Sequence, residues 1–317
     1  MKILSINNKR EPNFYGKAPC CSKNITNTVD SAYKAIDKNS AKYIEYIYSV
    51  CKKWFSNPVE VNVESNRLQD IVNSSEPALF IMNHTDKQGK DIQAAKFFNT
   101  LLYREYIYHN KAETCPRSKV LANQGVLDRQ QDKGEFYKWL GVVPIKAGIN
   151  YTDKEGNRNT IKTLVDEFVK KKINLFMFPE GALAVLANLP LEYKFQPGAA
   201  AFVKKVLDVV SKIKVVPIGF AHKKDQTAIH IGEPIIFAKR PDLYMASAGN
   251  SKDKNFDSYL AHLYQDRDFV FIKDNGHFIR EDGIVPYLSG IMVENLKCCI
   301  KNAQRDLQNI KPEVYDI

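Results

Sequence analysis

The chain of 317 residues is 44% apolar, which is enough to build one large folded domain or two smaller ones. Lys and Arg number 46 against 36 Asp and Glu, and the formal charge of +10 favours nucleic acid, anionic lipid or phosphorylated substrates as partners. Nucleic acid is disfavoured, because no segment has the aromatic and glycine pattern of an RNA-binding sheet or the ligand spacing of a zinc finger.

The N-terminal part divides into two segments. Residues 1–26 lack periodicity and indicate a leader, without the apolar run and cleavage site of a signal peptide. Residues 28–55 carry apolar side chains at three- and four-residue steps, which predicts an amphipathic helix or helix pair. That helix packs on its own domain or lies on a membrane surface. Since no stretch reaches the roughly 18 to 20 apolar residues of a spanning helix, we expect a cytoplasmic protein bound peripherally to membranes.

The central part alternates between short apolar runs and longer helix-like stretches. The predicted strands are VEVNVE, ALFIMN, KVLAN, VVPIK, INLFMF, KVVPIGF and AIHIGEPIIF, and the predicted helices cover about residues 91–106, 160–171 and 198–211. Strands separated by helices require crossover connections. We therefore predict an α/β fold with a mainly parallel sheet flanked by helices.

The C-terminal part is predicted to be an extension packed on this core. It begins with a polar loop, KRPDLYMASAGNSKDKN, and ends with helical spacing in PYLSGIMVENLKCCIKNAQRDLQ. We expect three parts: 1–57, leader and N-terminal helical segment; 58–238, α/β core; and 239–317, extension. The six cysteines form two vicinal pairs and two single positions, which favours reduced thiols over a disulfide framework or a metal site.

Polar or turn-forming residues follow four predicted strands where each strand ends. They are His84 with Asp86 and Asp91; Lys146; Pro179, Glu180 and Gly181; and Pro217. Because the carboxyl ends of parallel strands meet at one edge of a sheet, we expect one site there. A histidine with a nearby carboxylate is the minimum for general-base catalysis, although it is also compatible with a polar strand end. No Gly-x-Ser-x-Gly elbow is present, so the hydroxyl to be deprotonated is expected on the substrate.

The order of these blocks resembles the glycerolipid acyltransferases, the family of 1-acylglycerol-3-phosphate acyltransferases. The blocks are NH with an Asp opening a helix, FPEG after an apolar strand, FQPGAAAFVKK, VVPIGF and IGEPI, and they span residues 78–236. The resemblance implies that His84 is the general base on an acceptor hydroxyl. It also implies that Phe178, Pro179, Glu180 and Gly181 form the acceptor-binding turn. Glu180 either accepts hydrogen bonds from a polyol or anchors the turn internally.

The resemblance further implies transfer of a fatty acyl group in phospholipid biosynthesis. The donor would be acyl-CoA or acyl carrier protein, and the acceptor a lysolipid, most directly 1-acylglycerol-3-phosphate. No cofactor and no metal would be needed. An anionic membrane surface is the expected third partner, and nucleic acid is not expected to bind.

The chain departs from the family's pattern in the spacing between His and Asp. The family has four residues between them, and the corresponding position here is Gly89. Asp91 is preferred, because it opens a helical pattern and two extra residues can bulge around Gly89. The alternatives are that Asp91 only caps the helix, or that Asp86 is the partner of His84.

A second departure concerns the arginine with which the family holds the acceptor phosphate. Ala147 occupies that position and Lys146 precedes it. Lysine supplies charge without the bidentate guanidinium, so phosphate recognition is weaker or shared with Arg158 or Lys194. The acceptor is then open to another lysolipid or an aminolipid. The alternative from a different class is a non-catalytic lipid-binding or acyl-carrier-binding protein on the same fold.

Overall fold

A computed structural model provides the structure of the protein. It describes residues 59–60, 65–74, 76–84, 91, 94–95, 98–99, 101–102, 105–106, 109, 116–124, 141–146, 153–180, 195–223, 226–240, 243–248, 270–273, 277–280 and 284–309. The amphipathic segment predicted for residues 28–55 lies outside the described residues.

Eleven strands and four helices have both ends within the described residues. In chain order they are β1 (Val59–Glu60), α1 (Ser65–Asn73), β2 (Ala78–Met82), β3 (Ser118–Asn123), β4 (Val142–Ile145), α2 (Lys154–Lys170), β5 (Asn174–Met177), α3 (Gly198–Leu207), β6 (Lys212–Lys223), β7 (Gln226–Ile231), β8 (Ile235–Arg240), β9 (Leu243–Ala248), β10 (Val270–Lys273), β11 (His277–Arg280) and α4 (Ile284–Asn309). Every described residue between 91 and 106 is also helical, as predicted, and we call this stretch the 91–106 segment.

Nine of these strands form one sheet. The order across it is β1-β7-β6-β2-β5-β3-β4, with β8 pairing with β6 and β9 with β8. Strand β2 is central and pairs in parallel with β5 and β6, while β3 pairs in parallel with β5 and β4. Strands β7 and β8 run antiparallel to β6. The predicted α/β fold with a mainly parallel sheet flanked by helices is therefore confirmed.

The two faces of the sheet are covered by different helices. Along β2, Leu79 and Ile81 pack into a cluster with α2, α3 and α4, whereas Phe80 and Met82 pack with α1 and the 91–106 segment. All five residues of β2 are buried because both faces are covered. Side chains alternate along a strand, so the residue two positions after Met82 belongs on the face of the 91–106 segment.

Several predicted boundaries were wrong. Helix α2 begins at Lys154 rather than near residue 160, because the Asp153 side chain accepts a hydrogen bond from the Gly156 N–H at 2.8 Å and caps the helix. Strand β6 runs from Lys212 to Lys223 and is longer at both ends than the predicted KVVPIGF, so Pro217, which was expected at a strand end, lies inside it. The segment expected to be a polar loop after residue 238 contains β9, which pairs antiparallel with β8.

Helix α4 lies directly on β6. A Cβ atom on Gly219 would lie 2.3 Å from the backbone of Cys299, so only glycine permits this approach. Burial raises the pKa of the Cys299 thiol to about 12, while Cys298 is exposed and also free. The predicted C-terminal helix is confirmed, and the predicted domain boundaries stay a prediction, although the sheet itself runs past residue 238. None of the helices described is long and apolar enough to cross a membrane.

Candidate active site

The side chain of Asn83 extends the pairing of β2 by one residue. Its Nδ2 donates to the Phe220 carbonyl at 3.1 Å, and its Oδ1 accepts from the Phe220 N–H at 2.6 Å. Asn83 is fully buried, so both bonds are protected from water. The side-chain amide thus takes the place of a backbone pairing with β6 and fixes the position of the main chain at the start of His84.

The turn after β5 holds the main chain of His84 from the other side. The His84 N–H donates to Oε1 of Glu180 at 2.8 Å, and Glu180 is buried. The Phe178 ring lies 4.8 Å from the His84 ring, centre to centre, and the Pro179 carbonyl accepts from the Gln196 N–H at 2.7 Å. One oxygen of Glu180 therefore anchors the protein internally. A role of this turn in acceptor binding stays a prediction, and Gly181 lies outside the described residues.

Asp91 lies beside the imidazole of His84. The distance from Nδ1 of His84 to Oδ2 of Asp91 is 3.4 Å, with the carboxylate fully buried and the histidine side chain 14% exposed. Among the described residues, the hydrogen bonds of His84 use its backbone N–H and Nδ1, which leaves Nε2 for a substrate proton. The pairing is the arrangement that a general base requires. Asp86 lies outside the described residues.

Sequence reasoning missed a second histidine on the same carboxylate. Nε2 of His222 lies 2.5 Å from Oδ1 of Asp91, and its Nδ1 lies 2.9 Å from the Thr227 hydroxyl. The available signal was strand alternation: His222 lies two residues after Phe220 and so belongs on the face that carries His84. The predicted strand stopped at Phe220, which hid it.

Lys146 does not lie near this pair. It is exposed at the end of β4, the edge strand, and β3 and β5 separate β4 from β2. Three strand spacings correspond to about 14 Å. The Asn157 side chain holds the main chain of Lys146 through two hydrogen bonds of 2.9 and 2.8 Å, next to the exposed Arg158. Lys194 lies outside the described residues.

The sequence led us to expect one compact site at the four strand ends, but they do not form one. The ends of β2, β5 and β6 adjoin and carry the histidine site, but β4 is displaced to the edge. The described residues include no group of three or more His, Cys, Asp or Glu side chains that could hold a metal ion.

Comparison with known proteins identifies the family of the chain. A search of curated proteins gave no match. A family model described as Acyltransferase matches residues 60–221, which is just over half of the chain. The matched range runs from the end of β1 into β6 and contains His84, Asp91 and the turn at Glu180. The chain thus belongs to the acyltransferase family of the glycerolipid type.

Proposed function

We propose that the protein transfers a fatty acyl group from a thioester to a hydroxyl of a glycerolipid, most directly 1-acylglycerol-3-phosphate. The donor is acyl-CoA or acyl carrier protein. The observation that carries the proposal is the His84–Asp91 pair, in which the carboxylate lies beside Nδ1 and Nε2 is left for the acceptor. Its position at the carboxyl ends of parallel strands is where α/β proteins bind ligands.

In the proposed mechanism, Nε2 of His84 takes the proton of the acceptor hydroxyl. The oxygen attacks the thioester carbonyl, a C–O bond forms, and the tetrahedral intermediate collapses with loss of the thiolate. The proton on Nε2 then passes to the thiolate sulfur. Asp91 accepts the Nδ1–H bond throughout, which fixes the tautomer and stabilises the imidazolium. This scheme uses no acyl-enzyme, metal or cofactor.

The charge balance supports acidic partners. The formal charge of +10 suits a phosphorylated acceptor, the nucleotide of CoA or the acidic surface of a carrier protein, and an anionic membrane. We propose peripheral membrane association on this basis. It predicts co-sedimentation with vesicles of phosphatidylglycerol and phosphatidylcholine at low salt, and release at high salt. Equal binding to pure phosphatidylcholine vesicles would contradict it.

The first experiment measures transfer from radiolabelled palmitoyl-CoA and palmitoyl-carrier protein to a panel of lysolipids. The panel contains 1-acylglycerol-3-phosphate, lysophosphatidylcholine, lysophosphatidylethanolamine and an aminolipid. We expect the highest kcat/KM for 1-acylglycerol-3-phosphate and loss of product with His84→Ala. Absence of transfer to every acceptor, with folded protein and both donors, would favour the non-catalytic binding protein.

The acceptor phosphate gives a second experiment. Lys146 and Arg158 are exposed and joined through Asn157, so the double variant Lys146→Ala/Arg158→Ala removes both charges from this edge. We expect a higher KM for 1-acylglycerol-3-phosphate and little change in kcat, because a contact made equally in ground and transition states is uniform binding. An unchanged KM would show that this edge does not hold the acceptor phosphate, and the acceptor panel would then decide between a phosphorylated and a neutral or zwitterionic lysolipid.

A further inference from the structure

Asp91 lies between two imidazole rings. Its Oδ2 is 3.4 Å from Nδ1 of His84, and its Oδ1 is 2.5 Å from Nε2 of His222. The carboxylate is fully buried and the His222 side chain is 9% exposed. The proposed reaction uses only the longer of these two contacts. The shorter contact comes from a residue that lies one position beyond the range matched by the family model.

The carboxylate of Asp91 indicates which tautomer of His222 is present, because an ionised carboxylate only accepts hydrogen bonds. Nδ1 lies 2.9 Å from the hydroxyl of Thr227, whose hydrogen can rotate towards it. If the hydroxyl donates to Nδ1, the ring proton is on Nε2 and points at Asp91. Both nitrogens of a neutral His222 are then satisfied. The result is a directed chain of hydrogen bonds from Thr227 through His222 to Asp91.

The sheet fixes the position of His222. It lies directly opposite Thr227 in the antiparallel pairing of β6 and β7, on the same face as Phe220. The Asn83 side chain locks Phe220 to the end of β2, two residues before His222. His222 and His84 therefore come from neighbouring strands with a fixed register. Asp91 belongs to a helical segment that lies over them.

We infer that His222 is a positioning residue, which orients the carboxylate of Asp91 so that Oδ2 faces Nδ1 of His84. Without it, the buried carboxylate loses the hydrogen bond that His222 donates to Oδ1, and its orientation towards His84 is weakened. The inference rests on the proposed function, because it assigns His84 as the base. His222 itself does not touch substrate.

Steady-state kinetics of the full chain test this role. With palmitoyl-CoA and 1-oleoylglycerol-3-phosphate, we expect His222→Ala to lower kcat about 10- to 100-fold, as for loss of a charge-assisted hydrogen bond, with little change in either KM. His222→Gln places an amide donor where Nε2 lies and should recover most of kcat. Thr227→Val should lower kcat less than His222→Ala, and Thr227→Ser should retain it.

A matched control is available in the same sheet. His230 is also buried and paired with an aspartate, but it faces α4. His230→Gln should leave kcat unchanged and affect only the melting temperature. This control separates general destabilisation from a specific effect, and the melting temperature of each variant shows whether it is folded.

Imidazole NMR tests the same inference without turnover. With ¹⁵N-labelled histidine, we expect His222 to carry its proton on Nε2 and His84 on Nδ1. Thr227→Val and His222→Gln should shift the His84 ring resonances, and His230→Gln should not. The inference would be overturned if His222 carried its proton on Nδ1. It would also be overturned if the His84 resonances were unchanged in both Thr227→Val and His222→Gln.

The outcomes separate the two proposals. Suppose that His84→Ala is inactive, whereas folded His222→Ala, His222→Gln and Thr227→Val all keep the wild-type kcat. The inference then fails and the proposed function stands. If His222→Ala does not fold, the Thr227 variants and NMR decide. If wild-type protein transfers no acyl group, or His84→Ala remains active, the proposed function fails, and NMR alone decides the geometry.

Discussion

Two histidine–aspartate pairs lie on opposite faces of the same sheet and have different surroundings. His84 and Asp91 lie at the end of β2, under the 91–106 segment, whereas His230 lies within β7 and pairs with Asp306 of α4 at 3.2 Å. In both pairs the carboxylate is buried and faces Nδ1. Residue type and burial therefore do not distinguish them.

The second ring nitrogen does distinguish them. Nδ2 of Asn302 lies 3.2 Å from Nε2 of His230 and donates to it, so the lone pair of this histidine is already used. Within the part of the chain that the structure describes, the hydrogen bonds of His84 use its backbone N–H and Nδ1 and leave Nε2 unused. A histidine–aspartate pair can serve as a base only if its second nitrogen is available. This criterion assigns His230 to stability and His84 to chemistry.

The largest expected effect comes from replacing each of the two histidines by alanine in separate variants. His84→Ala should lower kcat about 10²- to 10⁴-fold, the range for loss of a general base, with a melting temperature close to that of the wild type. His230→Ala should do the opposite, because Asp306 loses its buried partner while the catalytic pair is untouched. Acyl-transfer kinetics and thermal unfolding measure both. Full activity of folded His84→Ala would remove the basis of the comparison.

The carboxylates give an effect of nearly the same size. Asp91→Asn should lower kcat by about 10³-fold or more, because an amide donor facing Nδ1 favours the wrong tautomer of His84. Asp306→Asn should leave kcat unchanged. Asp86→Asn should have far less effect than Asp91→Asn, and the reverse order would identify Asp86 as the partner of the base.

Asn83 tests whether the main chain at His84 must be held in place. Asn83→Ala leaves the buried N–H and carbonyl of Phe220 without their side-chain partner, at a cost of about 1–3 kcal/mol in the free energy of unfolding for each unsatisfied group. We expect lower stability in urea unfolding and a lower kcat together. A variant that loses stability but keeps the wild-type kcat would show that Glu180 alone holds the loop.

The smallest effect is expected from Asn302. Asn302→Ala removes the hydrogen bond to Nε2 of His230. Because Asn302 is only partly buried, the free energy of unfolding should fall by about 1 kcal/mol. The double variant His84→Ala/Asn302→Ala should be no more active than His84→Ala alone. Recovery of acyl transfer in that double variant would show that availability of the nitrogen is sufficient at either place.

The sequence predicted the parts of this comparison that depend on local pattern. The short apolar runs ALFIMN and INLFMF located β2 and β5, and helical spacing located α4. Strand order cannot be read from local pattern, because β5 lies between β2 and β3 in the sheet although it follows both in the chain. That is why Lys146 was expected in the same site as His84 and lies at the edge.

The missed residues have a common cause. His222 lies in the part of β6 that extends beyond the end of β2 and pairs with β7, so its importance depends on a register between distant segments. The hydrogen bond from His84 to Glu180 joins residues 96 positions apart and is equally invisible in sequence. Strand β9 was missed because its short, mixed sequence at the sheet margin lacks a clear alternation of apolar and polar residues.

The anchoring of His84 and Asp91 has a consequence for motif searches. One residue is tied to β5 and β6 through Glu180 and Asn83, and the other to β6 through His222. The number of residues between them is therefore not what sets their separation. Sequence profiles that demand four intervening residues would overlook chains of this kind. Such an active site is accordingly better defined by the three anchoring side chains, Asn83, Glu180 and His222, than by the number of residues between His84 and Asp91.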